Sequence, residues 1–481
     1  MNYRAGLDRS QTLLFPERLE DYISPENPVR FLDAFVASQD LKSLGFTKAQ
    51  CADTGRPAYD PAMLLKLYLY GYLHRIRSSR LLEAECHRNV EVLWLTGQQA
   101  PDHKTIADFR KDNARPFQAM HRQFRLLCHQ LDLFGAQLVG LDGTKLAAVN
   151  SKDANFNEKK LRELIQRSDA QLAEYLATLD AADAAEPAQR SLSRADLEAK
   201  IAALRDKRDW HAELLAQLDG DQTQISVSDP EARRMRTGQG SVVGYNAQAV
   251  VDHKNKLIAA DDVTNEETDL QQLSGMAKEA KANLNTDKLD VVADTGYCTT
   301  AQVAQCQEHN ITPYVPKADT SANTAQGLFG KSRFTYDPQK DVYVCPAGSP
   351  LTYRFSTDEK GRQLRYYRAS DCKHCALRKQ CTRNKANRTI TREQDEALME
   401  AMAARVAAHP EKIKLRKQLC EHPFGTLKRF FGYTYFLVKG LVKVRAEWSL
   451  MTLAYNLKRV LNLVSFDKLM AAVAMQVPQT A

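Results

Sequence analysis

One carboxylate stands almost alone among cations in Arg416-Lys417-Gln418-Leu419-Cys420-Glu421-His422-Pro423-Phe424-Gly425-Thr426-Leu427-Lys428, and between Arg405 and Arg445 ten Lys/Arg face two Glu. Such a carboxylate is either paired or gathers a cation. On a helix, Lys417, Glu421 and Lys428 would share one face. Pro423 removes a helix donor and biases His422 away from helical angles, so Glu421 is expected at a kink or helix end. The plain alternative is a Lys417–Glu421 ion pair on a solvated face. Two further acids have a different setting. Asp142 lies in Leu138-Val139-Gly140-Leu141-Asp142-Gly143-Thr144-Lys145 and Asp294 in Leu289-Asp290-Val291-Val292-Ala293-Asp294-Thr295-Gly296-Tyr297. Each ends an apolar run of strand length and precedes a glycine-containing turn, which predicts the tip of a buried strand. Buried strands belong to parallel or mixed sheets, whose ligand sites gather at their carboxyl ends. Two acids at strand tips and one on a basic helix repel one another unless neutralised. Hard cations such as Mg²⁺ relieve that repulsion, and two of them can clamp the attacking and leaving oxygens of a phosphodiester.

In that order, Asp142 in V-G-L-D-G-T-K, Asp294 in V-V-A-D-T-G-Y and Glu421 in R-x-x-x-x-E-H-P-F-G-T-L-K resemble the catalytic acids of DDE transposases from bacterial insertion sequences. The E-H-P-F-G-x-x-K element is the specific part, and the resemblance extends over nearly the whole chain. It implies an RNase H-like catalytic core in which Asp142, Asp294 and Glu421 hold two Mg²⁺ (or Mn²⁺) ions. Water would free a 3′-OH at the element's end, and that hydroxyl would attack target DNA. Double-stranded DNA, as terminal inverted repeats and as target, is the expected partner, with a homodimer assembled on it. Lys428 and Arg416 are expected on DNA phosphates. One departure is visible: where relatives often carry a tyrosine two turns before the glutamate, this chain reads Ile413-Lys414-Leu415. Two other readings use the same residues: an RNase H-fold DNA nuclease that never rejoins strands, and a DNA-binding repressor derived from a dead transposase.

The chain has 481 residues, 43% of them hydrophobic, and a formal net charge of +8. That length suits two to four domains, and clustered cations suit a polyanionic partner. No apolar run approaches membrane-spanning length and the start lacks a signal-peptide core, so a cytoplasmic, nucleoid-associated protein with no membrane partner is expected. Ten cysteines in a reducing compartment favour metal over disulfides wherever they cluster.

The elements that must position the acids can be read in order. Residues 1–130 predict an N-terminal all-α, helix-turn-helix-like DNA-binding domain. Met63 to Leu73 form its buried central helix, a second helix runs from Ser79 to about His87, and a third opens near Asp102 with Lys104, Arg110 and Lys111 outward. A plain helical cap is the alternative. Residues 131–156 and 221–318 predict the first part of the α/β core, a mixed sheet with flanking helices. Residues 157–220, with leucine stripes on either side of an Ala-rich loop, predict an antiparallel helical hairpin. Arg233, Arg234 and Arg236 precede Thr237-Gly238-Gln239-Gly240 and predict a flexible basic loop for phosphate contact. Thr268-Asp269-Leu270-Gln271 reads as a capping box and a helix start. Asp252, Asp261 and Asp262 sit in or beside predicted turns and rank as structural.

Residues 319–395 carry Cys345, Cys372, Cys375 and Cys381 around two strand-like runs, which predicts a small zinc-ribbon-like β insertion with four thiolates on a structural Zn²⁺. From Lys373 to Arg392 it holds seven Lys/Arg and no acid, suited to a DNA backbone. Residues 396–466 predict the C-terminal helices of the core. There Lys428 and Arg429 adjoin Phe430-Phe431-Gly432-Tyr433, aromatics that either stack on an unpaired base or belong to the core. Residues 467–481 predict a frayed tail.

Overall fold

The computed structural model describes residues 18–49, 57–151, 153–184, 194–218, 223–238, 240–317, 322–359 and 362–476. Six helices come first: α1 (Pro28–Ala37), α2 (Pro61–Leu73), α3 (Ser79–Arg88), α4 (Val90–Thr96), α5 (His103–Asp112) and α6 (Ala114–Gln130). Short polar side chains start several of them. Asp60 accepts from the Ala62 amide at 2.8 Å, and Asp102 from those of Lys104 and Thr105 at 2.9 Å. α2 is buried nearly all round, as its unbroken apolar run requires. On α5 the expected outward face divides. Lys104 is exposed, whereas Arg110 turns inward over the Tyr68 ring and donates to the Arg77 carbonyl.

The central sheet is built on β1 (Leu138–Ala147), which pairs antiparallel with β2 (Gly240–Asp252), itself antiparallel to β3 (Ile258–Thr264). On its other side β1 runs parallel to β4 (Leu289–Val292), and β4 parallel to β5 (Ile311–Tyr314). The order is therefore 3-2-1-4-5. Between β1 and β2 the chain leaves the sheet in a hairpin of α7 (Glu158–Ala184) and α8 (Arg194–Ala216). Helices α9 (Leu273–Asn283) and α10 (Thr300–Glu308) carry it between the later strands, Thr299 capping α10 through the Gln302 amide. Two expectations fail here. Arg233, Arg234 and Arg236 lie on a strand, Arg233–Thr237, paired to the start of β2, because that pairing satisfies backbone groups that a loop would leave to water. Gln239 lies outside the described residues. The capping box also fails: α9 begins only at Leu273, because Asp269 spends its carboxylate on side chains of the sheet.

A second sheet, wholly antiparallel, follows in β6 (Thr335–Asp337), β7 (Val342–Val344), β8 (Pro350–Glu359), β9 (Arg362–Ala369) and β10 (Thr389–Glu393). It has its own small core around Tyr343, Leu351 and Tyr367. The chain then returns through α11 (Glu396–Ala408), α12 (Pro410–Gly425), α13 (Leu441–Leu463) and α14 (Phe466–Ala474). Residues 467–474, expected as tail, are helical because Leu469, Ala472 and Val473 find apolar cover; 477–481 lie outside the described residues.

α13 joins the N-terminal helices to the sheet. Its Asn456 accepts from the Ile258 amide at 2.9 Å and bonds His121 at 3.1 Å, and its Ser449 donates to Asp261 at 2.7 Å. Asp261 is also 3.0 Å from His121 and 3.2 Å from Arg125. Burial and Arg125 push the His121 imidazole down to about 4, with Asp261 opposing, so that histidine is neutral at pH 7. No helix among the described residues is long and apolar enough to cross a membrane.

Candidate active site

β1 and β4 are neighbours running the same way, and their register sets Val292, the last residue of β4, beside Gly140, so Asp294 emerges next to Asp142; Asp142 stands mid-strand instead of at the expected tip, because β1 runs on to Ala147 along β2. Asp142 stands on β1 with the Gly143 amide donating to Oδ1 at 2.9 Å. Asp294 follows β4 and caps the short turn Thr295–Tyr297, accepting from the Gly296 amide at 2.8 Å. Helix α12 crosses over β1 at Gly140, where an added Cβ would stand 3.0 Å from Cys420 Sγ and 3.1 Å from Leu419 Cβ. Glycine there lets the helix come this close.

From α12, Arg416 reaches both acids: Nη2 is 2.9 Å from Asp142 Oδ1 and 3.2 Å from Asp294 Oδ2. Arg416, expected on DNA phosphate, has the two aspartates as its nearest anions here, and they take it. Its Nε is buried and finds no acceptor among the described residues. Burial pushes the Asp142 carboxyl up to about 6, with Asp294 and Asp269 adding to the push and Arg416 opposing it. The Cys420 thiol is raised by burial and then by Asp142. Two carboxylates that share one cation, with a half-satisfied guanidinium between them, are a donor set that suits a hard divalent ion.

Glu421 does not join this pair. It is exposed, and among the described residues no three His, Cys, Asp or Glu side chains are grouped to hold one metal ion. Five residues past Arg416 it points about 140° around the helix. The helix also does not end at Glu421: α12 continues through Pro423 to Gly425 and passes into a π-helical turn, Thr426–Phe430. Lys428 lies half-buried in that turn. Burial lowers its ammonium below the usual lysine value, while the Asp142 carboxylate pulls the other way. Arg429 is exposed. The aromatic run divides residue by residue: Phe431 and Tyr433 are core, whereas Phe430 is 39% exposed with Arg75 3.8 Å and Lys458 5.0 Å from its ring. His422 is 3.1 Å from the Tyr455 hydroxyl.

The carboxylate that sequence reasoning passed over is Asp269. It accepts from Lys145 at 3.3 Å, Asn246 at 2.6 Å and Gln248 at 2.8 Å, side chains that alternate with Asp142 along β1 and β2. The signal was in β2, where Asn246 and Gln248 put two amides inside an otherwise apolar strand.

In the second sheet, Cys345, Cys372, Cys375 and Cys381 line one cavity of about 30 Å³. All four are free thiols, and the Arg388 amide donates to Cys372 Sγ at 3.4 Å. Burial raises the Cys381 thiol, with the other three adding to the push and Arg388 opposing. The surrounding cations are not all outward. Lys373, Lys379, Arg383 and Lys385 are exposed, but Arg392 turns in to Glu400 at 3.0 Å and Arg388 to the Phe329 carbonyl at 3.0 Å.

Comparison with known proteins gives two family matches: a transposase domain (DUF772) over residues 17–112 and a transposase DDE domain over residues 344–461. Glu421 and the four cysteines fall inside the second; Asp142 and Asp294 lie between the two. Among solved structures, a piggyBac transposase synaptic complex with hairpin DNA is similar at 10% identity, over 94% of this chain and 80% of that one, with a TM-score of 0.29, too low to carry an argument. No curated protein matches.

Proposed function

We propose that this chain, which matches a transposase domain over residues 17–112 and a transposase DDE domain over residues 344–461, is a DDE-type transposase that cuts DNA at the ends of a mobile element and joins them to target DNA at the pocket of Asp142 and Asp294. One observation carries this reading: a single guanidinium nitrogen is shared between carboxylates from two adjacent parallel strands. Bound there, Mg²⁺ or Mn²⁺, as a pair of ions, would acidify a water and neutralise charge on the scissile phosphate. The chain's own residues do the rest. Asp142 and Asp294 hold the ions, Lys428 and Arg429 take flanking phosphates, and Phe430 between its two cations offers a face to an unstacked base. Arg416, once displaced, is free for the same phosphates.

Glu421 enters through its place in E-H-P-F-G-x-x-K. It follows Cys420, which packs against β1, so turning α12 by one residue, about 100°, carries it toward the pair. The π-helical turn after Gly425 is a point where such a slip can be absorbed. The 3-2-1-4-5 strand order supports an RNase H-like core. A structural Zn²⁺ on Cys345, Cys372, Cys375 and Cys381 rests on their spacing in the sequence, since the four line one cavity without being grouped to hold a metal ion; the exposed lysines beside them support DNA contact, as do Lys104 and the strand carrying Arg233, Arg234 and Arg236. A homodimer on double-stranded DNA would bring two ends together, in the cytoplasm at the nucleoid.

The test is incubation with candidate end DNA and Mg²⁺ or Mn²⁺, comparing the unaltered chain with Asp294→Ala. Metal-dependent nicking lost in the variant supports the reading; equal nicking by both refutes it. Joining of a 3′-OH oligonucleotide separates a transposase from a nuclease, and DNA binding without nicking indicates the repressor.

A further inference from the structure

Asp269 occupies a seat built for it. Asn246 and Gln248 are fully buried on β2, and burying an amide is unfavourable unless its hydrogen bonds are made. Both spend a donor on the same oxygen, Asp269 Oδ1, and Lys145 adds a third. The remaining Gln248 oxygen accepts from the Tyr297 hydroxyl, in the turn that Asp294 caps. Gly143, next to Asp142, leaves the room: a Cβ there would fall 3.0 Å from Asp269 Oδ1 and 2.4 Å from Gln248 Nε2. With Oδ1 saturated, Oδ2 makes no hydrogen bond among the described residues. It faces Gly296, 3.9 Å from where a Cβ would stand, and that same Cβ would be 2.9 Å from Asp294 Oδ1. Two strands and a turn thus hold one carboxylate rigid, with one oxygen free, at the edge of the Asp142–Asp294 pair.

We infer that Asp269 is a positioning residue of the ion pocket: Oδ2 accepts hydrogen bonds from water carried by a divalent cation held at Asp142 and Asp294, and so sets that cation's affinity. The inference rests on the pocket proposed above. Outer carboxylates of this kind typically change metal affinity by about 10- to 100-fold when removed. Lys145 has the opposite part, since it offsets part of the Asp269 charge from 3.3 Å.

The test uses the full chain without DNA and Mn²⁺ alone, with affinity read by calorimetry and by the spin resonance of free Mn²⁺. Asp269→Asn keeps an Oδ1 for the three donors but removes the charge and turns the free position into a donor; Mn²⁺ should bind about tenfold more weakly. Lys145→Gln should bind Mn²⁺ more tightly. A purely structural role would weaken binding in both, so shifts in the same direction, or no shift in either, overturn the inference. If Asp269→Asn does not fold, Lys145→Gln decides alone: tighter binding supports it, equal or weaker binding overturns it. Asp142→Asn is the control for the parent reading. Unchanged Mn²⁺ binding in that variant means the pocket itself is misplaced; lost binding there with unchanged binding in Asp269→Asn refutes only the role of Asp269.

Discussion

Replacing Arg416 by glutamine should move stability and ion affinity in opposite directions. In the free protein its guanidinium is 2.9 Å from Asp142 and 3.2 Å from Asp294, with side-chain exposures of 16%, 24% and 42% respectively. Breaking a fully buried pair typically costs about 3–5 kcal/mol and an exposed one about 0–1. Asp294 is more than a third exposed, so its share is discounted for solvent screening, and the loss expected at pH 7 is about 1–3 kcal/mol. Asp142, already pushed up to about 6, should titrate higher still without its cation. For Mn²⁺ the same change removes a competitor, and about tenfold tighter binding is expected, equivalent to about 1.4 kcal/mol. Thermal unfolding with and without millimolar Mn²⁺ reads both quantities, because a ligand bound only to the folded state raises its stability with the logarithm of concentration over Kd. Arg416→Gln should unfold earlier than the unaltered chain in chelator and recover a larger shift on adding Mn²⁺. An equal or smaller Mn²⁺ shift in the variant would refute the view that this side chain stands where the ion binds.

Three further outcomes follow from the structure. Asp142 has its folded value raised to about 6, above the unfolded carboxylate range, so its protonated form stabilises the fold at low pH and that contribution is lost as pH rises through about 6; Mn²⁺ affinity should therefore fall about tenfold per unit below pH 6, and pH-independent binding from 5 to 7 would contradict the assignment. Asp261→Ala leaves Arg125 buried and unpaired beside His121, and should cost about 3–5 kcal/mol in urea unfolding with no special effect on Mn²⁺ binding. Cys372→Ser should lower the zinc content measured by elemental analysis and increase protease cleavage within residues 335–393, while Mn²⁺ binding by the central pocket stays unchanged.

The apolar runs before Asp142 and Asp294 were legible because buried parallel strands write themselves that way, although only Asp294 stands past a strand end: β1 runs on through Asp142 to Ala147, held by antiparallel pairing with β2. Asp142 and Asp294 could be paired on that basis. The orientation of α12 could not. Charge pattern and Pro423 both pointed to Glu421 as the inward residue at a helix end, whereas the helix tolerates the proline, and close packing at Gly140 sets Cys420 and Arg416 inward. Which residue of an amphipathic helix faces a sheet depends on a rotation of 100° per residue, and a helix with cations on several faces does not announce it. Asp269 was hidden for another reason. Its local sequence satisfied a capping rule, and only tertiary partners on β1 and β2 outbid that local hydrogen bond. Arg233, Arg234 and Arg236 repeat the lesson: cations near glycines read as loop until a neighbouring strand supplies pairing.

The buried Glu447 of α13 draws together parts of the chain more than 350 residues apart: Tyr72 donates to it at 3.3 Å, Arg77 lies 3.6 Å away, and the Leu437 amide donates at 2.8 Å. Tyr433 in turn donates to the Tyr72 carbonyl. During synthesis, then, the first helices must wait for α13, with Glu447 lying 375 residues beyond Tyr72, to leave the ribosome before their polar and apolar faces are covered. A product cut short before Leu441 would expose that seam and be a substrate for proteases, not a stand-alone DNA-binding fragment able to compete with the full-length protein.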